Sequence, residues 1–224
     1  MRGIEGRRRG SPLLGWLIIL LSFGLAGYFW FQGLGSSQKE RIALLESASS
    51  KLKSETVPIK FMVLSREGGQ IKARIKLYDL AGGEVAVIEK SWPGKELYID
   101  MLLEPVRTAR ESKEPDSWIA FPYRIFTDEL SAASGSLLFD AYDGGGFPEV
   151  LGGAEWSPAE RLAISTAFAD ARRKAASGLP AADASQGVFG SAAHEISGIS
   201  SFEVGIVYKV VCRVKGGIEI AEDR

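Results

Sequence analysis

Asp140, Asp143 and Glu149 bracket three consecutive glycines in the segment DAYDGGGFPE. Carboxylates this close in sequence can ligate a hard cation through oxygen, or divide acid and base roles between them. The spacing is not that of an EF-hand loop, and Asp-Gly is an ordinary turn signal. The glycines do not cradle a phosphate in any known pattern either, since no P-loop lysine and no GxGxxG run accompany them. The segment therefore reads as a surface loop over 140–149. Asp140, Tyr142, Asp143 and Phe147 are its candidate contacts for a partner or a ligand. Alanines at 144–146 are expected to impair capture there while leaving the fold largely intact.

Other reactive side chains are scarce. The single histidine, His194, precedes Glu195, but the second histidine of a zincin helix is replaced by Gly198. With one histidine and no GxSxG elbow, no Ser-His-Asp set can be assembled. The single cysteine, Cys212, alternates with Val210 and Val214, so it is expected on a buried apolar face as an inert thiol. One cysteine also excludes an intrachain disulfide and any multi-cysteine zinc site. No catalytic, cofactor-binding or metal-ligating residue is assigned, and no cofactor is implied. A hydrolase using Asp140, Asp143 or Glu149 is the weakest of the available readings. Trp92, Trp118 and Trp156 offer an alternative, a stacking platform for a small ligand or glycan. Lys72, Arg74 and Lys76, with Lys60, form a basic stripe whose plain reading is a solvated sheet face.

The formal net charge of −1 conceals an asymmetry. Residues 1–38 hold four arginines and one glutamate, which leaves 23 of the 27 basic and 27 of the 28 acidic side chains to the remainder. A mildly acidic domain is ill suited to neutralising phosphates, so no nucleic-acid partner is expected.

No charged residue lies between Arg9 and Lys39. Within that gap residues 13–34 are almost all apolar, and as a helix they would span about 33 Å, enough for a hydrocarbon core of about 30 Å. Trp16 near one end and Tyr28 to Phe31 near the other suit the two headgroup regions. A cleaved signal peptide is the competing reading, but this run exceeds the usual 7–15 residues of its apolar region. Arg2, Arg7, Arg8 and Arg9 mark residues 1–12 as a cytoplasmic arm, which sends the C-terminal part out of the cytoplasm. The expected partners are the bilayer, through 13–34, and another membrane or envelope protein.

The remaining chain must position the candidate residues. Residues 36–54 read as a juxtamembrane helical stalk, opening on a Ser37–Glu40 capping box. Residues 55–224 read as an extracytoplasmic α+β domain, mainly antiparallel and meander- or sandwich-like, with one packed helix. Val57–Val63, Ile71–Leu77, Val85–Val87 and Leu97–Leu103 alternate apolar and polar residues between glycine turns, which predicts a four-stranded meander. Residues 105–116 are charged and bounded by prolines, a surface connection. Trp118–Phe126 is a strand that Pro122 confines to an edge or a bulge. Ser157 as N-cap, Pro158 and Glu160 open a helix over 158–177. Residues 178–201 read as a loop, and a Gly216-Gly217 hairpin closes the domain.

Overall fold

Strict alternation sets the first sheet. In β2 (Gln70–Tyr78) Ile71, Ala73, Ile75 and Leu77 are wholly buried, while Lys72, Arg74 and Lys76 face outward. The computed structural model describes residues 40–52, 54–106, 117–131, 134–176, 188–191 and 202–224, with the backbone alone for 105, 106, 117 and 188–191. The basic arm, the 13–34 run, residues 107–116 and His194 lie outside the described residues. Among the described residues no helix is long and apolar enough to cross a membrane.

The β2 strand pairs antiparallel with β1 (Glu55–Glu67) and β3 (Glu84–Pro93). Gly68 and Gly69 turn β1 into β2 at positive φ, which glycine adopts freely. The C-terminal hairpin, β8 (Val207–Arg213) and β9 (Ile218–Glu222), joins the other edge of β1, giving the order β3-β2-β1-β8-β9. Tyr208, Val210 and Cys212 face inward from β8, as their alternation predicts.

The fourth strand departs from the expected meander. Instead of pairing with β3, β4 (Leu97–Val106) enters a second sheet with β5 (Ser117–Thr127) and two short strands, β6 (Ser136–Leu137) and β7 (Val188–Ser191), in the order β6-β5-β4-β7. The reason lies at the corner. The Thr127 hydroxyl donates to the Pro93 carbonyl, and Asp128 accepts the backbone N–H groups of Lys95 and Glu96 at 2.8 and 3.0 Å. These bonds attach the turn to the end of β5 rather than closing a hairpin. Pro122 sits beside a register shift in which Tyr123 is the extra residue, so the ladder breaks where proline lacks its N–H. β7 arises within the segment read as a loop, pairing antiparallel with β4.

Two helices complete an α+β unit of mostly antiparallel sheets spanning Ile42–Arg224. The first, α1, covers residues 40–51 and buries Leu45 and Ala48 in the common core. Its described part thus packs on the domain. The second, α2 (Pro158–Ala176), buries Ala163, Ile164, Ala167, Phe168 and Ala171. Phe168 meets the rings of Phe121, Phe139 and Tyr142 at 5.4–5.7 Å between centroids. A side chain of this size contributes about 1.5–3 kcal/mol by leaving water. The capping box is formed as expected: Ser157 N–H donates to Glu160 Oε2 at 2.8 Å, and Glu160 N–H to Ser157 Oγ at 3.3 Å.

Candidate functional site

Residues 139–153 form a short excursion between β6 and α2, closed by its own backbone. Two turns of 3-10 helix, Phe139–Ala141 and Glu149–Leu151, stand at its sides. Glu149 N–H donates to the Tyr142 carbonyl and Gly144 N–H to the Phe147 carbonyl, both at 2.8 Å. Gly146 N–H reaches Asp143 Oδ1 at 2.5 Å. Arg172 of α2 then ties the loop down, pairing with Asp140 Oδ1 at 2.5 Å and also with Asp143. Sequence position alone suggests that Arg172 complements the C-terminal end of its helix; the structure makes it the clamp of this loop.

The four contact candidates separate sharply by burial. Tyr142 and Phe147 are 1% and 3% exposed and belong to the core. The Tyr142 hydroxyl donates to the Pro122 carbonyl at 2.6 Å, and burial raises its pKa well above the usual phenol value. The Arg161 guanidinium lies 3.9 Å from the centre of the Phe147 ring. The Asp140 side chain remains 86% exposed, whereas Asp143 is largely covered. The three glycines are locally constrained, so alanine there would bring strain as well as any loss of capture. Gly145 and Gly146 hold φ of +70° and +97°, and a Cβ on Gly144 would fall on the Glu149 carboxylate.

The carboxylates are therefore not poised for shared chemistry. Asp140 and Asp143 both face one guanidinium, and Glu149 packs beside Gly144. Among the described residues no three His, Cys, Asp or Glu side chains are grouped to hold a metal ion. The Cys212 thiol is buried, and desolvation pushes its pKa up to about 12. The basic stripe is balanced across β2 and β3: Lys72 and Arg74 pair with Glu89, and Lys76 with Glu84, at 2.6–2.8 Å. Trp92 is buried, its indole N–H donating to Ser136 Oγ at 3.0 Å. Trp156 is half-buried and donates to the Leu151 carbonyl at 2.6 Å. Trp118 is half-buried beside Gly216.

One recess of about 230 Å³ opens next to this loop. Val57 and Pro58 of β1, Leu80 of the β2–β3 turn, Ala120 of β5, and Val150 and Leu151 form its apolar wall. It opens where β1 runs past its last pair with β2, Ile59 with Leu77, so that on this edge residues 55–58 face the β2–β3 turn instead of a paired strand. Asp79 holds the turn, accepting Ala81 and Gly83 N–H at 2.9 and 2.7 Å. Leu80 N–H then latches that turn to the Gly152 carbonyl at 3.1 Å. Sequence reading recognises the Asp79–Gly83 turn but not the recess, because its walls come from four separate stretches of chain.

Comparisons with protein-family models, curated proteins and solved structures return no match.

Proposed function

We propose that the chain is a single-pass, membrane-tethered interaction module, its folded unit held outside the cytoplasm to assemble with another envelope or membrane protein. The observation that carries this reading is the charge-free run at residues 13–34 behind Arg7-Arg8-Arg9. Tethering raises the effective concentration of the domain for partners in the same membrane without any added contact. A binding role is favoured over a carboxylate hydrolase because Arg172 engages both loop aspartates. It is favoured over a glycan platform because Trp92 is enclosed and Trp156 is half-buried with its indole N–H spent on the Leu151 carbonyl.

Protease treatment of intact cells or spheroplasts carrying a C-terminally tagged chain, beside carbonate extraction of the membranes, tests the tether. The tag is expected to be digested from outside while the untreated full-length chain stays in the carbonate-resistant pellet. A protected tag, or release by carbonate, would overturn the proposed topology or the anchor respectively.

A further inference from the structure

The recess beside the 149–153 segment has an apolar floor and a rim with unspent polar capacity. Thr56 and Tyr78 contribute hydroxyls, and Glu55 and Asp79 contribute carboxylates. Asp79 receives its two backbone N–H groups on Oδ1, and Oδ2 accepts none of the hydrogen bonds described above. Glu55 is 55% exposed on its side chain and pairs with Arg213 at 3.0 Å. Lys60, 5.6 Å from the Tyr78 ring, shares Asp223 with Lys209, at 2.6 and 3.3 Å. The rim thus sets the Asp79 carboxylate, with Glu55 shared with Arg213, beside the apolar side chains of the pocket.

Size narrows what fits. A dry apolar cavity of about 150 Å³ takes up benzene, so one of about 230 Å³ admits a single aromatic or branched aliphatic side chain. Interfaces concentrate their affinity in such anchors, which fill preformed pockets and are ringed by polar contacts. The pocket is preformed in this sense. The Leu80–Gly152 bond and the Asp79 turn fix one wall, and Gly153 lies so close to Ala81 that a Cβ would collide with it.

We propose that this recess is the docking pocket for a partner protein. Its occupant is an extended segment that inserts one large apolar side chain, next to a lysine or arginine held by Asp79 and Glu55. The proposal deepens the interaction-module reading but does not need the membrane tether, so the tag experiment and the one below fail independently.

The test is selection of a random twelve-residue peptide display library on the purified full-length chain in detergent, with affinities of the selected peptides measured by isothermal titration. The expected consensus is an aromatic or branched aliphatic residue adjacent to Lys or Arg. Glu55→Lys reverses an exposed charge without touching the core, and Asp79→Asn keeps the acceptor that holds the turn. Each is expected to raise the dissociation constant about tenfold, and more at low salt than at high salt. Ala120→Leu, placed in the wall, is expected to abolish binding while the circular dichroism spectrum and unfolding midpoint remain near wild type. A library that yields no binders overturns the proposal. So does a consensus lacking the apolar–basic pair, or binding indifferent to Glu55→Lys and Asp79→Asn, which would locate the partner surface elsewhere even if Ala120→Leu failed to fold.

Discussion

Glu160 is 3% exposed and still ionised, because donors surround it. Lys51 Nζ and Ser47 Oγ each approach at 2.6 Å, Ser157 N–H closes the capping box, and together they hold its pKa down at about 2. The ordinary glutamate value is 4.5, so the folded state binds its proton less readily than the unfolded chain. This contribution is complete above about pH 4.5 and fades as pH falls through about 2. Glu160→Gln is expected to lower the thermal midpoint at pH 7, with the gap from wild type narrowing progressively between pH 4.5 and 2. A gap independent of pH, followed by circular dichroism, would deny the ionic origin. The local half of this arrangement is legible in the sequence, as Ser157 three residues before Glu160. Lys51, 109 residues away, is not, because contacts between distant segments leave no periodic trace. Burial of Cys212 was legible for the opposite reason: alternation along one strand carries it. Tyr142 and Phe147 show the limit of loop reading. Flanking glycines suggest exposure, but these rings face inward to fill space around Phe139, Phe168 and Arg161.

At the scale of elements, strand existence was legible from period-two patterning, whereas sheet membership was not. Trp92-Pro93-Gly94 announces a turn, and a hairpin and an inter-sheet corner draw on the same residue types. The choice between them is made by Thr127 and Asp128, which bind the turn from the far end of another strand. Gly94 is the residue that makes this approach possible. Its φ is +119°, and a Cβ would lie 2.5 Å from Asp128 Oδ1 and 2.9 Å from Thr127 Cβ. Gly94→Ala is expected to destabilise the chain by about 2–4 kcal/mol, combining backbone strain with displacement of Asp128. Chemical denaturation would register it, and a loss under ~1 kcal/mol would mean that the corner tolerates a rearranged turn. A companion Asp128→Asn change should cost less, since it retains the two accepted N–H bonds and loses charge alone.

At the scale of the whole molecule, the decisive fact is that one core draws on both sheets and both helices. Sequence patterning divides the chain at residue 55, where period-two alternation begins. Compactness divides it between Arg41 and Ile42, because α1 adds Leu45 and Ala48 to that core and brings Lys51 to Glu160. Tolerance to truncation follows buried contacts rather than changes of pattern. A chain beginning at residue 37 is therefore expected to unfold with the midpoint of the intact domain. One beginning at residue 55 should lose roughly 2–5 kcal/mol, the usual cost of deleting a buried leucine and its surroundings. That is a large part of the 5–15 kcal/mol typical of a folded domain, so the shorter chain should be marginal at 37 °C. Glu160→Gln supplies the internal check. In the 37–224 chain it removes a partner from Lys51; in the 55–224 chain Lys51 is gone, and the same substitution should cost measurably less. Equal costs in the two lengths, or equal midpoints for the two unsubstituted chains, would show that α1 rests on the domain without being coupled to it. Unequal costs would make the helix that follows residues 13–34 a mechanical part of the folded unit, so that pulling on one end of α1 loads the N-terminus of α2.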